Sequence, residues 1–163
     1  MDLSRTFTWE MPARLVVGLG CSRSVGAELK KLGVGKVLIV TDRGVEGAGI
    51  LSGIVEALDA AGVGHAIYNG VEANPSIKCV NEAAALYKAE GCSGFLGIGG
   101  GSSMDTAKAA GSVLANPDVD IRAMEGAGHV PNPIPPLVAI PTTCGTGSEV
   151  TSAAVITDTE RHY

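Results

Sequence analysis

The sequence predicts an α/β domain: a mostly parallel sheet with helices on both faces, preceded by an N-terminal β-hairpin. Three observations carry this prediction. Short unbroken apolar runs alternate with segments of helical period. The runs are rich in β-branched residues and lack polar alternation, the pattern of strands covered on both faces. The 23 glycines gather where the runs end, as tight strand–helix connections require. Repetition of this unit gives βαβ crossovers, which are right-handed.

Taken in order, "TFTWEM" (6–11) and "RLVVGLG" (14–20) read as the hairpin, joined around Pro12, with a helix near 22–32 after it. "KVLIVT" (36–41) is the first buried strand. "GILSGIVEALDAAG" (49–62) sets Ile50, Ile54, Leu58 and Ala61 on one helical face, and Gly62 is its stop. "HAIYNGV" (65–71) is the second strand. The Ala-rich helix of 74–91 opens at Asn74, Pro75 and Ser76 and stops at Gly91. "SGFLGIG" (93–99) is the third strand, followed by a helix from about Ser103 to Ala115. After a Pro/Gly-rich excursion at 116–135, "PLVAIP" (136–141) is the fourth strand, and "TSAAVITD" (151–158) reads as extended.

The chain has 163 residues, the size of one domain. Its net charge is −5, without a basic block, which argues against nucleic acid as a partner. No apolar run approaches the roughly 20 residues of a membrane span. Cys21, Cys79, Cys92 and Cys144 form no C-x-x-C pair or zinc spacing. They read as reduced thiols of a cytoplasmic protein. His65, His129 and His162 are scattered, without metal-ligand spacing.

Ligands of open α/β sheets sit beyond the carboxyl ends of the strands, so the loops there are the candidates. "GLGCSR" (18–23) has two glycines of a dinucleotide fingerprint, with Arg23 where the third would stand. "GIGGGSSMDTAK" (97–108) matches neither the Walker A spacing nor the strict dinucleotide pattern. Its glycines nevertheless let backbone approach an anion, and the helix after them offers free N–H groups and positive potential. Ser102 is the expected N-cap, with Asp105 in a box-like role three residues on. "PTTCGTGSEVT" (141–151) crowds Thr142, Thr143, Thr146, Ser148 and Thr151 around Gly145 and Gly147, a hydroxyl-dense loop able to bond sugar, phosphate or amide groups. Asp42, at the end of the first strand, can accept from ribose hydroxyls and repel a 2′-phosphate; the alternative is a turn-initiating Asp. Asn74 ends the second strand and can bond a ligand or simply make a turn. Glu149 reads as a cap or ion-pair residue rather than an acid or base.

"VTD" (40–42), "EANPS" (72–76), "GGGSSMDTAK" (99–108) and "PTTCGTGSEVT" (141–151), in this order, resemble the iron-containing (group III) alcohol dehydrogenase family. The resemblance spans essentially the whole chain and implies the N-terminal, Rossmann-like NAD(P)-binding half of a two-domain enzyme. A helical C-terminal half, holding Fe²⁺ or another divalent metal through one Asp and three His, would lie outside this chain. Carried over, Asp42 contacts the adenosine ribose and Asn74 sits near the cofactor. Gly100, Gly101 and Ser102 bind the pyrophosphate. Thr142, Thr143, Gly145 and Thr146 line the nucleotide and nicotinamide side, with Thr151 nearby. Asp42 favours NAD, while Arg43 beside it leaves NADP possible.

The implied reaction is hydride transfer between NAD(P) and a small alcohol, diol or aldehyde, by a homodimer or higher homo-oligomer. This chain is expected to bind cofactor without turning over. No catalytic residue is assigned within it, and no metal ligand. A polyol or sugar-phosphate enzyme of the same superfamily, of the glycerol dehydrogenase or dehydroquinate synthase type, is the alternative. So is a non-catalytic nucleotide-binding module.

Overall fold

The computed structural model describes residues 13–126 and 128–161. Four parallel strands form one sheet: β1 (Lys36–Val40), β2 (Gly64–Tyr68), β3 (Gly94–Gly99) and β4 (Leu137–Pro141). Their order across the sheet is β2-β1-β3-β4. β1 and β3 are therefore the inner strands, which is why their apolar runs are continuous: Val37 to Val40 and every residue of β3 are buried.

Two apolar layers cover the sheet. On one face, Val25 and Leu29 of α1 (Val25–Lys31) and Ile54 and Leu58 of α3 (Ser52–Ala60) pack on Val37, Ile39, Leu96 and Ile98. On the other, Val80, Ala83 and Ala84 of α4 (Ile77–Ala89) and Ala107 and Ala110 of α5 (Gly101–Ala115) pack on Leu38, Val40 and Phe95. Alternate residues of β1 and β3 thus face opposite layers, and the expected two-faced α/β architecture is the one observed. α5 comes so close to β3 that a Cβ on Gly97 would lie 3.2 Å from the Met104 Cα.

Several boundaries differ from expectation. The helix expected over 49–62 is shorter, α3, and a separate short helix that was not expected, α2 (Arg43–Gly47), precedes it. Gly49 breaks them with φ +74, and Ile50 ends up exposed instead of on the apolar face. The helix expected near 22–32 begins as a 3-10 turn, Cys21–Ser24, before α1. The first arm of the hairpin, 6–11, lies outside the described residues. Its second arm carries no strand among the described residues, and 18–20 form a turn. Residues 151–158 make one parallel bridge, Ser76 with Thr157, rather than a strand. Among the described residues no helix is long and apolar enough to cross a membrane, and all four cysteines are free thiols.

Candidate functional site

From β1 the chain crosses over one sheet face to β2, and from β3 it leaves to the opposite side, to β4. The direction reverses between β1 and β3, and a crevice opens beyond their carboxyl ends. A cleft of about 800 Å³ lies there. Asp42 and Arg43 line it from the end of β1, Gly70 to Ala73 from the end of β2, Gly100, Ser102 and Ser103 from the end of β3, and Thr142 and Thr143 from the end of β4.

Two helices begin at this cleft, and they begin differently. At α2, Asp42 is the N-cap: its Oδ1 accepts from the Gly44 N–H at 2.8 Å and the Val45 N–H at 3.0 Å. The turn-forming role foreseen for Asp42 is therefore real. Its other oxygen faces Gly99, 3.4 Å from where a Cβ would stand. One carboxylate oxygen closes a helix end while the second lies beside Gly99, and Asp42 itself lines the cleft.

At α5 the N-cap is Gly100, extended at φ −77 and ψ −174, and no side chain caps the helix. Ser102 lies inside the first turn and is not the cap. The helix starts two residues earlier than the Ser103 start that the sequence suggests, with Gly100 in the extended backbone an N-cap takes. Ser103 and Met104 bond back to the Gly100 carbonyl at 3.2 and 3.4 Å. Gly101 and Ser102 come too early for an intrahelical acceptor, so their N–H groups point outward from the positive end of the helix.

Gly99, at φ +144, allows the tight approach before this turn; a Cβ there would meet Ser103 Oγ at 2.5 Å. The Ser103 hydroxyl and the Thr41 hydroxyl are buried without a partner among the described residues.

Asp105 does not close a capping box. Its carboxylate accepts from Ser148 Oγ at 2.6 Å, from Lys108 Nζ at 3.3 Å and from the Val155 N–H at 3.1 Å. Lys108 also donates to the Ala153 carbonyl at 2.6 Å. Burial pulls the Lys108 ammonium below its ordinary pKa, with Asp105 and then Glu149 opposing. Glu149 Oε2 is buried without a hydrogen-bond partner among the described residues.

The structure thus brings Asp42, Gly100, Ser102, Thr142 and Thr143 to one cleft. Gly101 packs on Thr146, where a Cβ would lie 3.2 Å from the Thr146 Cβ, and neither residue lines the cleft. Gly145, at φ +101, turns the chain between Thr143 and Thr146. Asn74 follows Ala73 of the cleft wall, the one described non-glycine residue at positive φ, and it does not itself line the cleft. Thr151 is exposed and also outside the lining. The loop 18–23 contributes nothing to the cleft. The wall formed by Asn69 to Glu72 was not foreseen; only the order of the strands, with β2 beside β1, reveals it.

Among the described residues no three His, Cys, Asp or Glu side chains gather to hold a metal ion. His65 lies 3.8 Å from Asp59 and His129 against the Glu125 carbonyl, both away from the cleft.

Residues 12–163 match the family model described as iron-containing alcohol dehydrogenase. The chain is 45% identical to choline dehydrogenase of Bacillus subtilis, over 99% of this chain and 41% of that protein. It is 42% identical to the NAD-dependent methanol dehydrogenase of Bacillus methanolicus, over 93% and 39%. Among solved structures, 1,3-propanediol oxidoreductase superposes with a TM-score of 0.92 at 35% identity, covering 97% of this chain and 41% of that one. Sulfoacetaldehyde reductase from Bifidobacterium kashiwanohense, solved in complex with NAD+, superposes at 0.87 with 28% identity, over 98% and 42%. The chain spans about two fifths of the length of these relatives.

Proposed function

The chain belongs to the iron-containing alcohol dehydrogenase family, and from that premise we propose that it is the cofactor-binding part of an NAD-dependent alcohol dehydrogenase or aldehyde reductase. The observation that carries this reading is one cleft holding two complementary features. An uncapped glycine-rich helix end suits an anion, and a carboxylate oxygen beside it suits a hydroxyl donor.

In this reading Gly100, Gly101 and Ser102 take the pyrophosphate oxygens through their N–H groups and the Ser102 hydroxyl. Asp42 Oδ2 accepts from the adenosine ribose. Thr142, Thr143, Gly145 and Thr146 line the nucleotide and nicotinamide side, and Asn74 and Thr151 flank it. The bound nicotinamide accepts or supplies the hydride. Among the described residues no side chains gather into a metal centre. Iron or another divalent ion would be held by residues outside this chain. The substrate class is a small alcohol or diol and its aldehyde, as the names of the relatives suggest. We further propose a cytoplasmic homo-oligomer; light scattering of the purified protein checks the oligomer.

Asp42 favours NAD over NADP, since its carboxylate repels a 2′-phosphate; Arg43, exposed in the same wall, works the other way. Calorimetric titration with NADH and NADPH tests the reading. NADH binding is expected to be the tighter, with the preference falling about tenfold in Asp42→Gly, a loss of about 1.4 kcal/mol. Glycine caps nearly as well as Asp, so this variant removes the ribose acceptor without unseating α2. Failure of the wild-type chain to bind either nucleotide refutes the reading.

A further inference from the structure

The loop after β4, residues 142–147, is exposed along most of its length and contains two glycines at positive φ. It is tied down at both ends. At the near end, the Thr142 N–H donates to the Gly99 carbonyl at 2.9 Å. At the far end the tie is a side chain of α5. Ser148, 7% exposed, donates its hydroxyl to Asp105 Oδ1 at 2.6 Å. The Ser148 N–H in turn reaches Thr146 Oγ1 at 3.4 Å. Thr146 packs on Gly101, the first residue of α5, where the N–H groups are open. Lys108 and the Val155 N–H share the Asp105 carboxylate, so both of its oxygens are engaged in holding 148–155. The same helix therefore presents its N-terminus to the cleft and, one turn later, grips the far end of the loop whose Thr142 and Thr143 line it.

We propose that Asp105 is a positioning residue for the cofactor site: acting through Ser148, it holds Thr146 beside the N-terminal turn of α5. The proposal rests on the NAD-binding reading above. It assigns to Asp105 no contact with the cofactor.

Calorimetric titrations of the chain with NADH and with AMP test it. AMP spans the Asp42 end of the cleft and one phosphate; NADH also reaches the loop. Ser148→Ala cuts the chain of bonds while leaving the buried Asp105–Lys108 pair intact. It is expected to weaken NADH five- to tenfold and leave AMP within twofold. Thr146→Val, on an exposed residue that does not threaten folding, is expected to weaken NADH similarly. The double variant is expected to be no worse than either single one, because both break one path. Equal weakening of NADH and AMP, additive effects in the double variant, or unchanged NADH binding in Ser148→Ala each overturns the proposal while leaving the cofactor reading standing. A wild-type chain that binds neither nucleotide overturns both.

Discussion

Two helices start at the same cleft, after the neighbouring strands β1 and β3, and they solve the problem of their open N–H groups in opposite ways. α2 uses its own carboxylate: Asp42 satisfies Gly44 and Val45, and the helix end is closed. α5 has only glycine at the cap and leaves Gly101 and Ser102 open. A glycine cap is less stable than Asp or Ser there by only a few tenths of a kcal/mol, so α5 keeps its open N–H groups at little cost and offers them to an anion. The contrast supports the proposed placement, in which the anion lies at α5 and Asp42, already negative, takes the uncharged hydroxyl end.

The comparison breaks most severely at Gly99. Gly99→Ala forces a side chain into φ +144 and within 2.5 Å of Ser103 Oγ. The backbone strain alone costs about 1–3 kcal/mol. Urea unfolding is expected to show at least that loss, together with loss of NADH binding in calorimetry. A variant of unchanged stability contradicts the geometry of the turn.

Ser102→Asp makes α5 resemble α2 by supplying a negative charge to its first turn. It is expected to stabilise the fold by about 0.3–1 kcal/mol and to weaken NADH by tenfold or more. The opposite signs are the test: thermal unfolding up, affinity down. Asp42→Ala performs the reverse operation on α2. It removes the cap and costs about 1 kcal/mol in urea unfolding, whereas Asp42→Gly costs only a few tenths.

The smallest effect lies far from the cleft and serves as its control. Arg122 donates to Asp158 at 2.6 Å and holds that carboxyl below its ordinary pKa. The folded state thus favours the charged form. The stability it contributes is full above the unfolded pKa of about 4 and is lost as pH falls through the folded value. Asp158→Asn is expected to flatten the acid limb of stability against pH and to leave NADH affinity unchanged.

The sheet was legible in the sequence because inner strands must be apolar on both faces, and "KVLIVT" and "SGFLGIG" cannot be read otherwise. The cleft loops were legible for the same reason, as they begin where those runs end. What stayed hidden was set by contacts distant in sequence. Asp105 sits three residues after Ser102, a spacing that suggests a capping box, yet besides Lys108 its partners are Ser148 and Val155, more than forty residues on. The cleft wall of 69–72 depends on β2 lying beside β1, which periodicity does not encode. Ile50 matched a helical face, but Gly49 turned the chain and placed it at the cleft instead.

Backbone amide spectra of the ¹⁵N-labelled chain, recorded during titration with NADH, test the central contrast most directly. The account predicts that the largest shifts fall on Gly100, Gly101 and Ser102, and that the Gly44 and Val45 amides, already bonded to Asp42, move little. Shifts centred on Gly44 and Val45, or on the turn at Gly18 to Cys21, with Gly101 and Ser102 unmoved, would contradict it.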